Sequence, residues 1–274
     1  MGTVALSESQ QQVKDALLTA IQVGYRHFDT AMLYGTEGAL GDALVEAFST
    51  GLVKREEIFV TTKLWITDNH PAAVLPALRT SLCKLKLDYV DLYLIHWPIA
   101  AKDCIMTLPT KDQILPHVDL KGVWAELEHW VEKGLIKSIG VSNFSSKKLE
   151  SLLSYAKIPP AVNQVEMHPC WQQKQLREYC KNKGIQITAY SPLTSPAPEA
   201  EFLLKSSLVM RGELHSSKKR SCTQYLQIAL RWIIETGCIP VPKSFNKSHM
   251  SENLEIFDWE LTDEDRQKIS TIPQ

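Results

Sequence analysis

The chain has 274 residues, 44% of them hydrophobic and 22% charged, which is enough to bury a large core in one big α/β domain or two small ones. Its 30 basic and 31 acidic residues lack the positive surplus that nucleic acid or an anionic membrane surface demands, so both are set aside as partners. No apolar run approaches the roughly 20 residues needed to cross a bilayer, and Met1-Gly2-Thr3 opens without a charged-then-apolar leader, so a cytoplasmic protein is expected.

From Ser7 to Val23 the residues Val13, Ala16, Leu17, Ala20 and Ile21 recur at helical spacing, with Ser7 or Ser9 as N-cap and Gly24 as stop. A strand over Arg26–Phe28 follows, ending in Asp29, and Tyr34 stands in the loop before a helix from about Glu37 to Phe48. The alternation continues with strand Ile58–Thr62, a helix ending near Leu85, strand Val90–Ile95, helix Val123–Lys133 and strand Ile136–Val141. Helix Lys147–Ala156, strand Ala161–Val165, helix Gln172–Asn182, strand Gln186–Ala189, helix Thr223–Thr236 and strand Ile239–Val241 complete it. Thr194–Ser221 breaks the rhythm with Pro196, Pro198 and the basic run Lys218-Lys219-Arg220, and reads as a solvated insertion or a lid.

Alternating strands and helices give a parallel sheet, open or closed. No Gly-x-Gly-x-x-Gly follows an early strand; Gly35, Gly38 and Gly41 are spaced by three, as on a helix face. Polar residues end nearly every strand: Asp29, Lys63, His96, Asn143, Glu166, Tyr190 and Lys243. That pattern favours an α/β fold of (β/α)₈ TIM-barrel type, a single unit over residues 1–274. Met1–Leu6 is too short for a good strand, so the first strand is expected to be short or missing.

The six cysteines, Cys83, Cys104, Cys170, Cys180, Cys222 and Cys238, show no CxxC pair, and the strand-end groups lack metal-ligand spacing, so no metal is expected. Taken singly, Asp29 is a cap, Lys63 a solvated charge, His96 a core histidine and Tyr34 a packed aromatic. Asp91 and Glu166 read as structural partners, as do His27, His129 and His168, while His70 and His117 read as loop residues. Converging at one mouth, Asp29, Tyr34, Lys63 and His96 make a proton donor. A phenol titrates near 10. An ammonium at Lys63, aimed by Asp29, is expected to lower that value and make Tyr34 a general acid. A neutral His96 orients the carbonyl whose oxygen gains charge. Side chains do not donate hydride, so a nicotinamide is implied.

Several stretches carry a family likeness: Gly24-Tyr25-Arg26-His27-Phe28-Asp29-Thr30-Ala31, Thr62-Lys63-Leu64-Trp65, Asp91-Leu92-Tyr93-Leu94-Ile95-His96-Trp97-Pro98, Gly140-Val141-Ser142-Asn143-Phe144, Asn163-Gln164-Val165-Glu166, Ala189-Tyr190-Ser191-Pro192-Leu193 and Pro242-Lys243-Ser244. In these the chain resembles the aldo-keto reductases. Val118–Trp124 and Phe257–Leu261 are most similar to a plant branch with chalcone (polyketide) reductases, codeinone reductases and deoxymugineic acid synthases.

The resemblance implies reduction of an aldehyde or ketone with NADPH and a tetrad of Asp29, Tyr34, Lys63 and His96; the departure at His249 leaves NADH as the alternative cofactor, and with no obvious apolar edge to pair a monomer is expected. It implies Ser142, Asn143 and Gln164 at the nicotinamide carboxamide, Tyr190 stacked on its ring, and Ser191 and Leu193 on the pyrophosphate side. Lys243, Ser244, Phe245 and Asn246 fall at the adenosine 2′-phosphate, with His249 where the family has an arginine, and Glu252 and Asn253 at the adenine. Gly2, Thr3 and Asp29 join the cofactor set; Val4, Tyr34, Trp65, His96 and Trp97 form the substrate pocket. Family members extend beyond both ends of this chain, so both termini are expected to be shortened. The competing reading is a nucleotide-binding barrel that acts as a regulatory or partner protein without turnover; a metal-dependent hydrolase lacks its ligand spacings.

Overall fold

Strands that are apolar on both faces need cover on both, and the crossover helices of a parallel sheet supply it. The computed structural model, which describes residues 1–5, 7–102, 107, 109–193 and 222–274, follows that plan. Strands β1 (His27–Asp29), β2 (Phe59–Leu64), β3 (Val90–Ile95), β4 (Ile136–Ser142), β5 (Val162–Glu166), β6 (Gln186–Tyr190) and β7 (Ile239–Pro240) lie side by side in sequence order, all parallel. Helices α1 (Gln10–Val23), α2 (Glu37–Ser49), α3 (Pro71–Leu85), α4 (Leu120–Glu132), α5 (Ser146–Leu153), α6 (Lys174–Asn182) and α7 (Cys222–Glu235) separate or precede them.

The residues expected to form a short or missing first strand tie the two edges together. Met1 O accepts from Asp29 N at 2.8 Å, Thr3 N donates to Asp29 O at 3.1 Å, and Gly2 N donates to Pro242 O at 2.9 Å. Met1–Thr3 thus lies between β1 and the residues after β7, as a single parallel bridge of Gly2 with Asp29. The fold is a TIM barrel whose first strand is short.

Local chemistry sets the element ends. Of the two candidate serines, Ser9 caps α1, in a capping box with Gln12, and the expected apolar face of Val13, Ala16, Leu17, Ala20 and Ile21 is buried. Strand β2 runs two residues past Thr62, since Lys63 and Leu64 pair with Leu94 and Ile95; a charged side chain interrupts the apolar run but not the backbone ladder. His70 is more than a loop residue: its Nδ1 accepts from Ala72 N at 3.3 Å, capping α3 ahead of Pro71. Helix α6 starts at Lys174 rather than Gln172 because Gln173 is left-handed, with φ of 50°. Helices α8 (Lys247–Glu252) and α9 (Asp263–Ser270) follow β7, the second of them unforeseen by the alternation.

The expected structural carboxylate Asp91 accepts from Arg55 Nη2 at 2.7 Å and Val60 N at 2.8 Å, joining β3 to β2. Cys83, Cys180 and Cys238 are free thiols. The irregular stretch Thr194–Ser221, with His215, and Cys104 lie outside the described residues. Among the described residues no helix is long and apolar enough to cross a membrane.

The three regularly spaced glycines do not share one helix face. Gly35 closes a 3₁₀ turn at Met32–Tyr34 with φ of 65°, a left-handed conformation that suits glycine, and only Gly38 and Gly41 lie in α2. At Gly41 helix α3 comes so close that a Cβ would sit 2.3 Å from Lys84 O, whereas a Cβ on Gly38 meets nothing within 4 Å. Gly41→Ala is therefore expected to destabilise by about 1–3 kcal/mol in urea unfolding despite alanine's better helix propensity. Gly38→Ala is expected to stabilise by up to about 1 kcal/mol.

Candidate active site

Asp29 ends β1, Lys63 lies in the last turn of the β2 ladder, His96 directly follows β3, and the Met32–Tyr34 turn brings Tyr34 over the same end of the barrel. Lys63 is fully buried and Asp29 is 4% exposed. Lys63 Nζ donates to Asp29 Oδ1 at 2.5 Å and to Thr30 O at 2.9 Å. Its third direction leads to Tyr34 Oη at 3.4 Å, and Tyr34 Oη lies 3.5 Å from His96 Nε2. The last two separations are at the long edge of hydrogen bonding, so the phenol is placed between ammonium and imidazole without being locked to either. The structure thus brings the three strand-end groups and Tyr34 together.

Burial sets the protonation states. On Lys63, burial opposes the charge, but Asp29 and then Tyr34 outweigh it, and the ammonium titrates above its ordinary value. His96 is held well below the ordinary imidazole value, first by burial and then by the Lys63 charge, so it is neutral near pH 7. Tyr34 corrects the expectation of a lowered phenol: burial raises it above 10, Lys63 draws it back and Asp29 adds to the rise. The phenol therefore holds its proton at neutral pH, while Lys63 favours the phenolate once that proton leaves.

A cavity of about 510 Å³ opens above these groups, within the range of small-molecule sites. Asp29, Leu33, Tyr34, His96 and Trp97 line it together with Ser142, Asn143, Gln164 and Tyr190, and Gly2, Val4, Ser191, Pro192, Leu193, Val241 and Lys243 complete the wall. The amide, hydroxyl and phenol groups of this wall are hydrogen-bonded to the chain around them. Ser142 Oγ donates to Gln164 O at 2.8 Å, Asn143 Nδ2 to His96 O at 3.0 Å, and Tyr190 Oη to Asn143 Oδ1 at 2.9 Å. Gln164 Nε2 donates to Asp29 Oδ2 at 2.7 Å, so both carboxylate oxygens are engaged. Asn143 and Ser191 are left-handed, with φ of 63° and 49°, a strained backbone at two points of the wall.

Several expected site residues stand away from the cavity wall. Trp65 is a correction: fully buried, it packs edge-on behind His96 with ring centroids 5.1 Å apart, and so backs the imidazole without lining the pocket. Thr3 is buried too, its hydroxyl 2.9 Å from Thr36 Oγ1. Ser244, Phe245, Asn246, His249, Glu252 and Asn253 lie beyond Lys243. Asn246 Oδ1 already accepts from Ser248 N and His249 N, so the first amides of α8 are capped by the chain itself. Glu252 Oε1 accepts from Ser248 Oγ at 3.0 Å, and Asn253 is 5% exposed. Sequence reasoning missed Leu33, Pro192 and Val241 on the wall; each stands within two residues of a flagged site residue, the only signal available. Among the described residues no cluster of side chains could hold a metal ion.

A profile described as "Aldo/keto reductase family" matches residues 1–273. The chain belongs to the aldo/keto reductase family. It is 49% identical to an NAD(P)H-dependent 6′-deoxychalcone synthase of Glycine max over 100% of its own length and 86% of that protein's. It is 48% identical to deoxymugineic acid synthase 1 of Zea mays, over 100% and 87% of the two chains. Among solved structures, a Bombyx mori aldo-keto reductase in complex with NADP superposes with a TM-score of 0.83 at 37% identity, covering 100% of this chain and 88% of that one. The donor set in this family member fits such a dinucleotide: the amides of Asn143 and Gln164, the hydroxyls of Ser142 and Ser191 and the Lys243 ammonium all line one cavity.

An imidazole kept neutral by burial makes stability depend on pH. The unfolded histidine takes up a proton near 6.5 and folded His96 does so only well below it, so acid favours the unfolded state. Stability is expected to be full above pH 6.5 and to fall as pH drops below it. His27, pushed down to about 4 mainly by burial, adds to the same slope. Urea midpoints measured from pH 7.5 to pH 5 check this, and His96→Gln is expected to flatten the slope by its share.

Proposed function

We propose that this chain reduces an aldehyde or ketone to an alcohol with NADPH, Tyr34 giving the proton. The observation that carries this reading is the buried Lys63–Asp29 pair beneath a phenol that lies 3.4 Å from the ammonium and 3.5 Å from a neutral imidazole. When bound, NADPH supplies the hydride. His96 holds the carbonyl oxygen near Tyr34 Oη, and as that oxygen becomes an alkoxide the phenol protonates it. Lys63 stabilises the phenolate that remains until a solvent proton restores it.

In this reading Ser142, Asn143 and Gln164 orient the carboxamide, Tyr190 covers the ring face, and Ser191 and Leu193 flank the pyrophosphate. Gly2 and Asp29, both on the cavity wall, complete the cofactor set, with buried Thr3 bracing Asp29 through its backbone. Lys243, helped by Ser244, Phe245, Asn246 and His249, takes the 2′-phosphate, with Glu252 and Asn253 toward the adenine. NADH is the weaker alternative. Val4, Trp97, Tyr34 and His96 receive the carbonyl compound, with Trp65 supporting His96 from behind. The free thiols support a cytoplasmic protein, one domain that acts as a monomer.

Tyr34→Phe is expected to lower the rate of NADPH oxidation across a panel of carbonyl compounds by about 10²–10⁴-fold while NADPH binding, followed by fluorescence, stays within about twofold. An unchanged rate would remove Tyr34 from its role. Binding without turnover in the unaltered protein would favour a regulatory barrel.

A further inference from the structure

Lys243 is held by two groups from opposite ends of the chain. Its ammonium lies 4.3 Å from the ring centroid of Phe245 and 3.3 Å from Oε1 of Glu8, a carboxylate in the segment that leads into α1. Both partners of the ion pair are part-exposed, at 38% for the Lys243 side chain and 27% for Glu8. The other Glu8 oxygen accepts from Ser7 N at 3.1 Å, which fixes the carboxylate beside the cavity rim.

We propose that Glu8 is a specificity-determining residue that weakens discrimination in favour of the 2′-phosphorylated cofactor. This rests on the reading of Lys243 as the 2′-phosphate ligand. An ammonium has three N–H donors, and one of them already faces Glu8. A phosphate that approaches Lys243 meets this carboxylate at close range, and like charges repel. An unphosphorylated ribose brings only neutral hydroxyls to the same place and is nearly indifferent to it. The carboxylate therefore acts on the difference between the two dinucleotides. Because the pair is part-exposed, water and salt moderate the effect, which places it at a few-fold rather than several orders of magnitude.

The test is a set of dissociation constants for NADPH and NADH, measured by fluorescence on the full chain at low and high ionic strength. Glu8→Gln is expected to tighten NADPH roughly three- to tenfold and to leave NADH within about twofold, the gain shrinking at about 0.5 M salt. Glu8→Asp, which keeps the charge, is expected to retain the original ratio. Lys243→Met reports on the underlying reading separately, and is expected to weaken NADPH more than NADH. If Lys243→Met does so but Glu8→Gln moves neither cofactor, or moves both by one factor, Glu8 has no such role and the phosphate reading stands. If Lys243→Met shifts both cofactors equally, that reading falls and the proposal falls with it.

Discussion

A lysine with no exposed surface sits inside the barrel, and the site depends on the one carboxylate that keeps it charged. Removing an ammonium from water costs several kcal/mol, which a single partner rarely returns in full. Here Asp29 is helped by Thr30 O and by the phenol of Tyr34, and Asp29 is itself held by Gln164. Such a pair contributes little net stability. Its use is to keep a positive charge fixed, dry and pointed at an oxygen that must release a proton.

The barrel makes that arrangement by topology. Successive parallel strands end on one face, so Asp29, Lys63 and His96 need only stand at neighbouring strand tips to converge. Neighbours then cross-brace them: Asn143 binds His96 O, Tyr190 binds Asn143, and Gln164 binds Asp29. The wall that is suited to a carboxamide is thereby joined to the ammonium through one side chain. Burial does the rest of the tuning, since it neutralises His96 and keeps the Tyr34 phenol protonated.

The sequence made the strand-tip groups legible because an ionisable side chain is conspicuous at the end of an apolar run, as at Asp29, Lys63 and His96. The barrel was legible from strict alternation, and family membership from the motifs around those tips. Other features depend on three-dimensional proximity that spacing does not encode. The Gln164–Asp29 bond spans 135 residues, and the Lys243–Glu8 pair spans 235. The direction of the Tyr34 shift was misjudged because charge partners show in a sequence and the degree of burial does not. Trp65 illustrates the same point: its size suggested a pocket wall, and the packing put His96 in front of it. Helix α9 went unseen because a short polar segment carries little periodicity.

The central claim is that Asp29 and Lys63 work as one unit, each tolerable in the barrel only because of the other. A double-mutant cycle on unfolding free energy, with Asp29→Asn, Lys63→Met and the two combined, tests it directly. The account predicts that each single replacement costs about 3–5 kcal/mol, and that the double replacement costs far less than their sum because no unpaired charge remains. Additive losses would contradict it, since they would mean that the ammonium and the carboxylate are stabilised independently.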